Sequence, residues 1–77
     1  MTLNDLKAGE GGTVTAVGGE GVLRLRLLDM GIIPRTHISV RKIAPMGDPI
    51  QITLRGYELT LRRDDAENIE IEKEDNA

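Results

Sequence analysis

The chain has no cysteine, tryptophan or phenylalanine, and its 77 residues include one histidine and one tyrosine. Without cysteine there is no disulfide staple, no thiolate nucleophile and no thiolate-ligated metal. That composition suits a reducing compartment, and a cytoplasmic protein is the expectation. With one aromatic ring the chain cannot line a polyproline groove or build a stacking platform for single-stranded nucleic acid. No apolar run nears the roughly 18 residues of a membrane span, and no signal-peptide pattern opens the chain, so no membrane insertion is expected.

What is present is aliphatic. Nine Leu, eight Ile and four Val must build the core of one small domain. Net charge is −3, unevenly spread. Residues 64–77 carry seven acids and one Lys, whereas residues 1–63 carry nine bases and six acids. The body is mildly basic and the C-terminal end acidic, which opposes binding to nucleic acid. Residues 1–73 are read as a single domain and 74–77 as a flexible acidic tail.

Period-2 alternation marks five strands. They fall at Thr13–Val17, His37–Ile43, Ile50–Arg55, Glu58–Arg62 and Ile69–Glu72. The phase slips at Lys42–Ile43, which predicts a bulge. The expected inner residues are Val14, Ala16, Ile38, Val40, Ile50, Ile52, Leu54, Leu59, Leu61, Ile69 and Ile71. Arg55-Gly56 predicts a tight hairpin turn, with Tyr57 packing beside it. Asp64–Glu67 predicts one helical turn, of 3₁₀ type, capped by Asp64.

Leu23–Met30 alternates like a strand but reads as a helix. Leu, Arg and Met favour helix, Gly31 stands where a left-handed cap belongs, and Pro34 follows. Leu23, Leu27 and Met30 share one face, leaving Leu25 and Leu28 as a second apolar edge. That edge either packs into the core or meets a partner. The whole is a mostly β barrel of about five short strands with a short α-helix inserted after the first strand. Strand order does not follow from the pattern.

Ala44-Pro45-Met46-Gly47-Asp48-Pro49 is a rigid, specifically shaped connection. Its prolines fix φ, Gly47 can take positive φ, and Asp48 can close the turn on nearby backbone N–H groups. Met46 is then an apolar side chain at a loop tip. This stretch, with Leu6-Lys7-Ala8-Gly9-Glu10, Arg26-Leu27-Leu28-Asp29-Met30-Gly31-Ile32-Ile33-Pro34, Leu61-Arg62 and Ala66, resembles the FeoA family of bacterial ferrous iron transport over about residues 3–72. The resemblance implies an SH3-like barrel, a cytosolic location and one partner, the FeoB membrane iron transporter with its GTPase domain. The family commonly has Gly after the proline matched by Pro34. Arg35 stands there instead, which predicts a type I turn or a locally strained one.

No catalytic residue, metal or cofactor is expected. His37 reads as an exposed strand residue rather than a base or ligand, and Asp64, Asp65 and Glu67 as a helix start with solvated charge. Arg24, Arg26, Arg35 and Arg55 read as surface charge rather than an arginine finger. The leading expectation is a non-enzymatic accessory protein of ferrous iron uptake that binds FeoB through Leu25, Leu28, Met30 and Met46. The alternative is a metal-responsive or oligomerisation module, able to bind a transition metal ion, like the SH3-like C-terminal domain of iron-dependent repressors. A homo-oligomer stays open.

Overall fold

In a computed structural model that describes residues 1–74, the alternating segments fold into one antiparallel sheet. The strands are β1 (Gly11–Val17), β2 (His37–Ile43), β3 (Ile50–Leu54), β4 (Tyr57–Leu61) and β5 (Ile69–Lys73). Their order in the sheet is β4-β3-β2-β1-β5. A 3₁₀ turn, Leu3–Asp5, precedes β1. Helix α1 (Gly21–Asp29) follows β1, and the one-turn α2 (Arg63–Ala66) precedes β5. The mostly β barrel with a helix after its first strand is as expected.

Most of the expected inner residues are buried, but two depart. Ala16 is only half-buried, and Val17 takes the inward place. The cause is a register shift between Val14 and Ala16 against β5, which leaves Thr15 exposed and reverses the facing of the residues after it. Leu59 packs against the core yet stays partly exposed on β4, an outer strand of the sheet. The slip in β2 falls between Val40 and Lys42, just before the position anticipated. Leu3, Leu6, Leu27, Ile32 and Ala66 complete the core from outside the strands. The free edge of β5 is covered by the N-terminus, where Ile71 N donates to Met1 O (2.9 Å) and Thr2 bridges to Glu70.

Helix α1 ends as its sequence dictates. Gly31 takes φ +93°, Gly31 N donates to Leu28 O (3.0 Å) and Ile32 N to Leu27 O (3.1 Å). This is a Schellman motif, and its apolar pair, Leu27 and Ile32, is fully buried. The β3–β4 hairpin closes on Arg55 (φ 50°) and Gly56 (φ 84°), both left-handed, as a type I′ turn requires.

Candidate interaction surface

The four anticipated contact residues divide by burial. Leu25 is 60% exposed and Met46 89% exposed. Leu28 and Met30 are partly buried and pack against the core, so both serve the fold first. Leu27 anchors the inner face of α1. The second apolar edge of the helix is therefore split: Leu28 leans on the core, while Leu25 faces solvent with Val22 (81% exposed) nearby in the chain.

Met30 also lines a surface groove of about 740 Å³ with Arg26, Pro49, Thr60, Leu61, Arg62, Asp64 and Asp65. The groove brings together the end of α1, the proline-bracketed loop, β4 and α2. Long-range polar contacts hold its walls. Arg26 Nη2 donates to Asp65 Oδ1 at 2.8 Å, joining α1 to α2. Asp65 is itself buried, and its other oxygen accepts from Arg62 N (3.4 Å) at the start of α2. The cap is thus Asp65 reaching back, not the expected Asp64, and the turn is α rather than 3₁₀.

The loop carrying Met46 is pinned at both ends. Gly47 N donates to Ala44 O (2.7 Å) and Ala44 N to Pro49 O (3.1 Å). Asp48 does not close its own turn. Its carboxylate accepts from Arg63 N at 3.1 Å, tying the loop to α2. Tyr57 also works at longer range than expected: its hydroxyl donates to Met30 O (2.7 Å) and clamps the end of α1. The result is a fixed frame around an exposed Met46 that bonds nothing.

His37 lies on the opposite, polar side of β2 and is about half exposed. Its Nδ1 lies 3.0 Å from Glu74 Oε1 and its Nε2 3.3 Å from Ser39 Oγ. Glu74, assigned in sequence to the tail, is held by these contacts, by Thr13 Oγ1 (2.6 Å) and by its own N–H on Gly11 O (3.0 Å). The rest of the expected tail, residues 75–77, lies outside the described residues. The Thr13 hydroxyl, then His37, holds the Glu74 carboxyl below the usual range. Glu10 is likewise lowered, by Lys73 first and by the Lys7 N–H second.

Ser39, His37 and Glu74 stand in the order nucleophile, base, orienter. Their cavity of about 250 Å³ nevertheless carries two carboxylates, Glu10 and Glu74, against Lys73, which is already paired to Glu10 at 2.7 Å. That charge balance opposes an oxyanion. Among the described residues, no three His, Asp or Glu side chains group as metal ligands. No described helix is long and apolar enough to cross a membrane.

Comparison with known proteins agrees with this geometry. The FeoA domain family model matches residues 1–73. A Porphyromonas gingivalis protein described as an Fe(2+) transport protein A/Fe(2+) transporter FeoB fusion is 39% identical over 72 residues. That match spans 94% of this chain but 8% of the fusion protein. The solution structure of a FeoA-like protein from Clostridium acetobutylicum superposes with a TM-score of 0.88 at 38% identity, covering 95% of this chain and 85% of that one. A zinc-complexed FeoA from Stenotrophomonas maltophilia, described as a prokaryotic SH3 domain protein, shares the fold at 20% identity (TM-score 0.83; 94% and 89% covered). With its five-stranded SH3-like barrel and a family match over nearly its whole length, this chain belongs to the FeoA domain family.

Proposed function

We propose that this domain is a non-enzymatic, cytoplasmic accessory protein of ferrous iron uptake that acts by docking onto a FeoB-type transporter. The observation that carries the reading is the fusion relative, in which a domain 39% identical to this one is part of the same polypeptide as FeoB. Fusion replaces a bimolecular encounter with a high effective concentration, an arrangement suited to two modules that work in contact.

The docking face is the one that ends at the helix and the loop. Leu25 and Met46 are large, exposed apolar side chains, one on α1 and one on a pinned loop. Leucine and methionine suit an adaptable apolar contact. Leu28 and Met30 support the face from beneath, and Met30 and Pro49 share the groove.

Binding of the purified domain to the cytosolic part of a FeoB transporter, measured by calorimetry, tests this. Leu25→Asp and Met46→Asp place a charge on exposed positions and leave the fold intact. Each is expected to weaken binding by about tenfold, the effect of ~1.4 kcal/mol at an interface contact. Folded variants that bind as wild type does would show that another face docks.

A further inference from the structure

A second surface site lies on the outer face of β2 and β3. Arg35, Thr36, His37, Thr53, Arg55 and Gly56 are among the residues that line a notch of about 430 Å³. From these residues we infer that the notch binds an oxyanion of the phosphate class, free or carried on a nucleotide.

Backbone conformation is the first argument. Arg35 has φ 76° and Arg55 φ 50°, and among the described residues they are the positive-φ residues other than glycine. Thr36 N donates to Ile33 O (3.1 Å), so Ile33–Thr36 is a turn with its third residue left-handed, a type II turn. It is the strained outcome of the two expected from sequence. Arg55 occupies the first central position of a type I′ turn. Glycine or asparagine would fill both places at lower cost. Strain of this kind points to what the side chain does. Each turn instead presents a guanidinium.

The second argument is charge. Neither guanidinium forms an ion pair among the described residues. The side chain of Arg55 reaches the other turn, with Nη2 3.5 Å from Thr36 Oγ1. No carboxylate lines the notch, whereas four other concavities on the described surface each carry at least one. Glu74 touches His37, and its carboxylate is also engaged by Thr13.

Hydroxyls supply the third argument. Thr53 Oγ1 is buried with no hydrogen-bond partner, and Thr36 Oγ1 faces Arg55. Two planar guanidinium forks with the Thr36 hydroxyl beside them match the tetrahedral array of phosphate oxygens. Acyl or apolar ligands would leave both cations unmatched.

Titrating the full chain with inorganic phosphate, against chloride at constant ionic strength, tests the site by amide chemical shifts. Saturable shifts are expected at Arg35, Thr36, Thr53, Arg55 and Gly56. Arg35→Gly and Arg55→Asn remove the cations while supplying residues the turns prefer, so both variants fold. Each should weaken phosphate about tenfold, the usual loss of one charge-assisted contact, and the double variant should abolish saturation. ATP and adenosine separate the sources. ATP binding tighter than phosphate, with adenosine silent, assigns a nucleotide polyphosphate; equal affinities assign a single phosphate group. Adenosine binding as well as ATP, unsaturable shifts, or unchanged phosphate affinity in both folded variants would overturn the proposal.

Discussion

Tyr57→Phe tests how the end of α1 is held. The substitution deletes one hydroxyl and keeps the ring. In the native fold that hydroxyl donates to Met30 O at 2.7 Å, one of the carbonyls a helix end leaves without an intrahelical partner. A net hydrogen bond is worth about 1 kcal/mol, and the partly exposed position of Tyr57 (43%) sets the loss at the lower end, about 0.5–1 kcal/mol. At ~2.1 cal/mol/K per residue, a chain of 77 residues unfolds with an entropy of about 160 cal/mol/K. The melting temperature should therefore fall by about 3–6 °C by circular dichroism.

Gly31 makes the test sharper. A Cβ there would lie 2.8 Å from Tyr57 Oη, and φ is +93°. Gly31→Ala then suffers both backbone strain, about 1–2 kcal/mol, and a clash with the hydroxyl. In the Tyr57→Phe background the clash is gone and only the strain remains. The double variant should be less destabilised than the two single variants added together. Strict additivity, or a Tyr57→Phe variant as stable as wild type, would refute the clamp.

Two further predictions concern the same molecule. Leu27→Ala should cost about 2–5 kcal/mol in denaturant unfolding because the side chain is fully buried, while Leu25→Ala should lie within about 0.5 kcal/mol of wild type. Equal losses would place the helix the wrong way round. Glu10 and Glu74 have lowered carboxyl pKa values in the fold, so their stabilisation is present above the ordinary value of 4.5 and is lost as pH falls through the lowered values. Acid unfolding curves of the Glu10→Gln, Glu74→Gln pair should be flatter across that window, and an unchanged slope would remove these contacts from the account.

Local signals carried through where the physics is local. Gly31 and Pro34 marked the end of α1 because a left-handed cap needs glycine there. The β3–β4 turn was legible through Gly56, which takes left-handed backbone at no steric cost, while nothing local announced the left-handed Arg55. Ala16 was misplaced because a bulge adds a residue without a composition signal, as the small Thr15 and Ala16 fit either face. The partner of Asp48 was missed because Arg63 lies far along the chain, and only packing of α2 beside the loop brings them together. The same holds for Glu74 and His37.

The strand segments, the helix and its stop, the hairpin turn and the family can all be read along the linear chain, since each rests on periodicity, glycine placement or a contiguous motif. The remaining features follow from how those segments pack. Strand order depends on which apolar faces meet, and alternation says only that a face exists. Folding separated Leu25 and Met46, which stay in solvent, from Leu28 and Met30, which join the core, because burial depends on what stands opposite. It also brought Arg35 and Arg55, twenty positions apart in the chain, into one notch, since two turns at the same end of β2 and β3 point their side chains into shared space.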